Sequence, residues 1–408
     1  MVFSAGYFFS YLLRTINAAL APDLIRDFSL DAGGLGLLTG VYFVGFGLFQ
    51  LPLGLLLDRF GARRVEAVLL LIAALGALRF ATADGFGDLV LGRALIGLGV
   101  SACLMAGFKA LTLWFPSQRL PLVNGMLLGL GACGAVFAGP PVQFALQYVD
   151  WRGIFFGLVG MAVALAMMLM ALVPEPKSVV APESPSALIR GLRQILSDYR
   201  FWRLAPLTMT SQGTYLAVQG LWAGVWLQDV AGLTRVSVAD YMAILSVAMA
   251  ISYAGSGFLA ERLSRKGVSP QTTAVVGMVC FIVIQILIIS LGAALPSGAP
   301  LLSVWFLFGL TGGFSVVCYA ALTQSFPAPL AGRVNTAINM TLIACAFLFQ
   351  YGIGVVVGWW PTQTPGHFAV SGHRVALALT VGFQIVALIW FWLAPFLRQG
   401  RLRQGSFR

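Results

Sequence analysis

About twelve apolar stretches, most of them close to 20 residues or longer, follow one another along this chain, separated by short charged or Pro- and Gly-containing turns. A bilayer core needs about 20 apolar residues to be crossed as a helix. Inside lipid every backbone N–H and C=O must be bonded, and a helix achieves this within a single stretch. The expected spans are residues 3–22, 34–57, 65–83, 89–114, 120–147 and 153–173, then 204–228, 238–261, 271–294, 300–325, 332–359 and 373–396. Composition agrees: 10% of residues are charged and the mean hydropathy is +0.90, whereas a soluble domain carries about 25% charge. Ala18-Ala-Leu-Ala21 resembles a signal cleavage site. No positive charge precedes the first apolar run, however, and Arg14 lies inside it, so it is read as a span.

One charged turn organises the series. Gly54-Leu-Leu-Leu-Asp58-Arg59-Phe-Gly61-Ala-Arg63-Arg64 closes the second stretch and opens the third. A degenerate copy recurs half a chain later at Gly257, Glu261, Arg262, Arg265 and Lys266, with Ser264 in the place of Gly61. Phe115-Pro116 before Asn124 is likewise echoed by Phe326-Pro327 before Asn335. A hydrophobic protein built from two copies of one six-span unit suggests a secondary transporter.

The net charge of +11 is distributed unevenly. With these spans, seventeen of the 25 Lys and Arg fall on one side, five on the other and three within the membrane. That bias places both termini and the charged turns in the cytoplasm, and it accounts for basicity without nucleic acid. All five cysteines lie in apolar runs, where they read as small core residues and not as disulfides or metal ligands.

The organisation expected is therefore an all-α membrane protein with a six-helix bundle over 1–173, a cytoplasmic linker over 174–203, a second six-helix bundle over 204–397 and a basic tail over 398–408. The linker is rich in Pro, Ser and charge, with a surface helix over Ala187 to Leu196.

The residues now quoted resemble the major facilitator superfamily over essentially the whole chain. Gly54, Asp58, Arg59, Gly61, Arg63 and Arg64 match its loop between helices two and three, with Ala62 where a basic residue is common. Leu91-Gly-Arg93-Ala-Leu-Ile-Gly97-Leu-Gly99 matches its fourth-helix motif, and Asp150-Trp-Arg152 before the sixth span is typical too. The resemblance implies twelve helices in two pseudo-symmetric bundles that rock about a central site, lined by helices one, four, seven and ten. It also implies that Asp58 latches the halves through the inner end of helix eleven, and that Arg93 acts in coupling. Gly54, Asp58, Arg59, Gly61, Arg63, Arg64, Arg93, Glu261 and Arg262 are the expected gating set. Span five carries Gly131, Gly134, Gly139 and Pro140, but Pro141 follows and a later glycine pair is missing, so the resemblance to proton-coupled exporters stops there. The general style is closer to branches carrying organic anions, nitrate or sugar phosphates.

Charges inside a membrane must face a cavity or a partner, which makes them candidates for function. Arg14 lies about 16 Å along the first span by helical rise; Arg93 and Lys109 lie along the fourth. None of the 14 carboxylates is expected at mid-membrane. The cavity should therefore be electropositive, with Arg14 offering a fork of donors and Lys109 a point charge. Without a buried Asp or Glu, uniport, exchange, or symport in which the solute helps carry the proton is the expected coupling, and sodium stays open. His367 and His373 are expected in an outer loop, solvated.

Polar faces complete the candidate set. Thr208, Ser211, Gln212, Tyr215, Gln219, Trp222 and Trp226 recur at three- and four-residue steps along span seven, on one side of a helix. Tyr7, Tyr11, Arg14 and Asn17 form a stripe on span one; Tyr319 on span ten and Asn335 and Asn339 on span eleven add to it. Tyr11, Arg14, Lys109, Gln212, Tyr215, Gln219, Trp222, Tyr319 and Asn339 are taken as solute-binding candidates. The same residues also suit interhelical packing. The expectation is a carrier of a small solute, organic or inorganic and anionic, acting as a monomer in a bacterial inner membrane without a cofactor. A carrier of neutral or zwitterionic solutes and a non-transporting membrane receptor or assembly subunit remain as alternatives. No carboxylate pair, metal cluster, Ser-His-Asp set or nucleotide-binding loop points to an enzyme or an ATP-driven pump.

Overall fold

The structure, a computed structural model, describes all residues except 117–118, 175–184, 328–329, 361, 363–365 and 406–408. The Pro- and Glu-rich part of the expected linker and the end of the basic tail lie outside the described residues. The linker helix runs Pro185–Leu196.

Among the described residues, eight helices are long and apolar enough to cross a membrane: Phe86–Trp114, Val123–Ala145, Trp151–Leu172, Arg235–Ser264, Pro270–Ala294, Ala299–Gln324, Ala331–Val357 and Val370–Pro395. A ninth crossing is the pair Ala32–Leu48 and Gln50–Phe60, bent by 46°. Three more polar helical runs complete the series: Val2–Phe28, Ala62–Ala81, and Tyr199–Ala217 continued by Val218–Trp222 and Ala223–Asp229. In chain order these fall on the twelve expected stretches and are called spans 1 to 12.

Local chemistry sets their ends. Asp31 accepts from Gly34 N at 2.6 Å, Asp150 from Gly153 N at 2.8 Å and Asp198 from Arg200 N at 2.7 Å, each satisfying an orphan donor at a helix start. Gly61 turns from span 2 into span 3 at φ 79°, a conformation other residues rarely adopt. In the second copy Ser264 ends span 8 as ordinary helix, and Gly267 supplies the left-handed turn at φ 87°.

The two halves meet where span 2 packs along span 11 and span 5 along span 8. At Gly354 a side chain would collide with the Ala32 carbonyl, so the backbones of spans 11 and 2 touch directly. At Gly354 the seam lies at the end of the bundle opposite the N-terminus, called the outer end. There Arg235 Nη2 of span 8 also reaches Asp23 Oδ2 of span 1 at 2.6 Å, bridging the halves. Trp151, opening span 6, donates to Asp27 at 2.8 Å, and Arg152 donates to the Ala81 and Ala83 carbonyls, which fixes the outer end of the first bundle.

One of the two histidines corrects an expectation. His373 is 2% exposed and belongs to the first turn of span 12; its Nε2 lies 2.8 Å from Asp229 Oδ2, while His367 Nδ1 lies 2.7 Å from Asp229 Oδ1. His373 thus pins spans 7 and 12 together inside the fold, whereas His367 stands in the loop before span 12, as expected, with its side chain 49% exposed.

Candidate functional site

Residues 7, 11 and 14 share one face of span 1, because steps of four and three residues return to the same side of a helix. Tyr7 and Tyr11 meet edge to face with ring centres 5.0 Å apart. The Arg14 guanidinium carbon stands 3.8 Å from the Tyr11 ring centre, a cation held over a π face. Tyr42 of span 2 and Tyr253 of span 8 are within electrostatic reach of the same charge. Arg14 is half-buried, and its Nε and Nη2 are shielded from solvent with no hydrogen-bond partner. Among the described residues no carboxylate pairs with it.

The backbone beneath this cation is clamped from span 4. Arg93, fully buried, donates through Nη1 to the Leu13 carbonyl at 2.6 Å and through Nη2 to the Arg14 carbonyl at 3.0 Å, and its guanidinium lies 5.0 Å from the Tyr42 ring centre. Arg93 thus holds the stretch of backbone that carries Arg14.

From the second half, Gln212 Nε2 donates to Tyr253 Oη at 3.2 Å, and Ser315 Oγ donates to Gln212 Oε1. This cluster joins spans 7, 8 and 10 opposite Arg14. The other span 7 candidates are more deeply engaged. Tyr215 is enclosed between Phe281 and Phe308, with its hydroxyl unpartnered, and Gln219 donates to Ser246 Oγ at 3.4 Å with Oε1 unpartnered. Trp222 is buried at the outer seam and donates to the Gln350 carbonyl at 3.0 Å. Tyr319 Oη donates to Asn339 Oδ1 at 3.4 Å, and Asn339 Nδ2 donates to Gln50 Oε1 of span 2 at 3.3 Å, a polar chain crossing between the halves.

Lys109 is engaged at the inner end, where its Nζ donates to Asp58 Oδ1 and to the Leu57 carbonyl, both at 2.6 Å. Asp58 is therefore held by its own half. Arg63 donates to the Val173 carbonyl at 3.0 Å, tying the charged turn to the end of span 6. Arg59 lies over Phe60, Glu261 pairs with Arg265 at 2.6 Å, and Gly54 meets nothing within 4 Å of where a side chain would stand.

Four residues of this region were not singled out from the sequence. Tyr42, Tyr253 and Gln50 read as ordinary members of apolar or mixed stretches, and the signal available was a polar group within each span. Glu66 corrects the expectation of no buried carboxylate. It lies inside span 3, fully buried, beside Gly6 of span 1 and Cys103 of span 4. Among the described residues no cluster of His, Cys, Asp or Glu could hold a metal ion.

Comparisons with known proteins follow the same lines. A sequence model described as the Major Facilitator Superfamily matches residues 3–349. A hexuronate transporter of Bacillus subtilis (strain 168) is 26% identical over 394 residues, covering 93% of this chain and 92% of that protein. A nitrate/nitrite transporter of Picosynechococcus is 34% identical over 237 residues, covering 50% of this chain and 43% of that protein. Among solved structures, a bacterial homolog of the human lysosomal transporter Spinster, inward-facing and unoccupied, superposes with a TM-score of 0.77 at 17% identity, over 96% of this chain and 95% of that one. That last likeness is one of fold.

Proposed function

We propose, from the premise that this chain belongs to the Major Facilitator Superfamily, that this multi-pass membrane transporter carries a small anion, bound in the central cavity through Arg14. One observation carries the reading: Arg14 is a half-buried guanidinium with no carboxylate partner, stacked on Tyr11 and anchored by Arg93. A cation in that setting gains most from an anionic solute that completes its hydrogen bonds. Relatives named for hexuronate and for nitrate/nitrite support the sign of the charge. Gln212, Ser315 and Tyr253 would meet hydroxyl or carboxylate oxygens from the opposite half.

In this proposal the bundles 1–173 and 204–397 rock against each other about Arg14, in a bacterial inner membrane with both termini cytoplasmic. The Asp23–Arg235 bridge and the Gly354 seam close the outer side in this state. The chain works as a monomer, without a cofactor.

The test is thermal stabilisation of the purified protein by a panel that includes D-galacturonate, D-glucuronate, nitrate and neutral sugars. Stabilisation by an anion, weakened about tenfold to a hundredfold in midpoint concentration by Arg14→Gln, is expected from the loss of a charged hydrogen-bonding group. An unaltered response in Arg14→Gln would end the anion-site reading. Stabilisation by neutral solutes alone would favour a second reading, in which the Gln212–Tyr253–Ser315 cluster does the binding.

A further inference from the structure

We propose that Glu66 is a proton-binding site of the transport cycle, so that movement between the two access states is linked to protonation of this carboxyl. Glu66 is 0% exposed, and neither carboxyl oxygen has a hydrogen-bond partner. Its Oε1 fills the space that a side chain at position 6 would need, so span 1 approaches the acid with the bare backbone of Gly6. From span 4 the titratable group facing it is the Cys103 thiol, a weak donor that lies beside the carboxyl without completing a bond of good geometry. Among the described residues no Lys, Arg or His pairs with it. A carboxylate stripped of water and of cations is strongly disfavoured. The packed seam between spans 1, 3 and 4 therefore accepts the neutral acid and resists the anion.

The position gives this acid leverage. It presses on the base of span 1, the helix that carries Tyr11 and Arg14 to the cavity. To ionise, Glu66 must gain water, and in this packing water enters only if span 1 parts from span 3 at Gly6. In the exchange the carboxyl O–H breaks, its electron pair stays on the carboxylate oxygen, and the proton leaves on a water molecule as hydronium. Reloading takes a proton from hydronium on the side to which the seam next opens. Neutral Glu66 thus favours the present state, closed at the outer end, and the anion favours its opposite.

The inference rests on the alternating-access reading but not on the anionic solute, and its test uses pH as the probe. In full-length protein with Cys133→Ser and Cys280→Ser, labels attached at Arg119→Cys and Lys266→Cys report the separation of the inner ends of the two halves. The ratio of open to closed populations should change about tenfold between acid and alkaline pH, the response given by a one-unit difference in proton affinity between two states. Glu66→Gln, a neutral isostere, should hold the acid-like distribution at every pH. An unchanged pH response in Glu66→Gln overturns the proposal, and so does a parent protein whose distances ignore pH. Infrared difference spectra of the parent protein supply a readout that needs no variant to fold: alkalinisation should remove the high-frequency C=O stretch of an unbonded carboxylic acid, and its persistence would equally overturn the proposal. Failure of every anion to bind would sink the Arg14 reading while leaving both measurements intact.

Discussion

Arg93 and Arg14 meet through backbone and not through charge: the guanidinium of Arg93 donates to the carbonyl of Arg14 at 3.0 Å, and to that of Leu13 at 2.6 Å. Two like-charged side chains can share a region because one is spent on fixing the helix that presents the other. Lysine has no fork to span two carbonyls. Arg93→Lys should destabilise the protein by about 2 kcal/mol, the range for hydrogen bonds to charged groups, and should weaken anion-induced thermal stabilisation although residue 14 is unchanged. Melting curves with and without the anion give both quantities.

The bridge between Asp23 and Arg235 spans the outer seam, with Asp23 10% and Arg235 40% exposed at their side chains. Because Arg235 is partly hydrated, the pair is worth about 1 kcal/mol or less. Asp23→Asn should raise the outward-open population by up to about fivefold. Its measure is the rate at which Ala135→Cys, on the lining of the small cavity between the halves, reacts with an impermeant maleimide.

Gly354 offers a steric test of the same seam. Gly354→Ala drives a methyl group into the Ala32 carbonyl, an overpacking expected to cost about 1–3 kcal/mol. The cost falls on the state in which spans 2 and 11 touch, so the variant should favour the outward-open state. The maleimide rate at Ala135→Cys should rise as it does in Asp23→Asn.

Asp58 and Lys109 form one unit, joined at 2.6 Å. Asp58→Asn and Lys109→Met should each slow transport in proteoliposomes while sparing anion binding, and the double variant should be no slower than the worse single one. Additive losses would separate the two residues.

Much of the fold was legible because lipid imposes a single requirement, apolar length with bonded backbone: among the described residues eight helices and one bent pair meet it, and three more polar runs fall on the remaining expected stretches. The breaks within spans were not legible. The bend between Leu48 and Gln50, the wide turn at Val218–Trp222 and the tight turn at Gly313–Val316 depend on neighbours far away in sequence. Arg14 stands out as a charge amid apolar residues, whereas its unpaired state is a property of spans 2, 4 and 8. Lys109 looked free because its partner Asp58 lies 51 positions earlier. Glu66 was passed over because it stands second in the expected span 65–83, where a carboxylate can still reach water; its burial is set by Gly6 of span 1 and Cys103 of span 4, far away in sequence. His373 was misread because span 12 begins at Val370, three residues before it.

The wide turn at Val218–Trp222 in span 7 has the hydrogen-bond spacing of a π-helix, one residue looser than the α-helix on either side. Each residue of an α-helix turns about 100°. Drawing that slack residue into regular register would swing Trp222, and with it the indole held by the Gln350 carbonyl, by about that angle relative to Gln212. In that movement span 7 would behave as a shaft with a slip joint, its outer half turning against the seam while its inner half keeps the Gln212 bond to Tyr253.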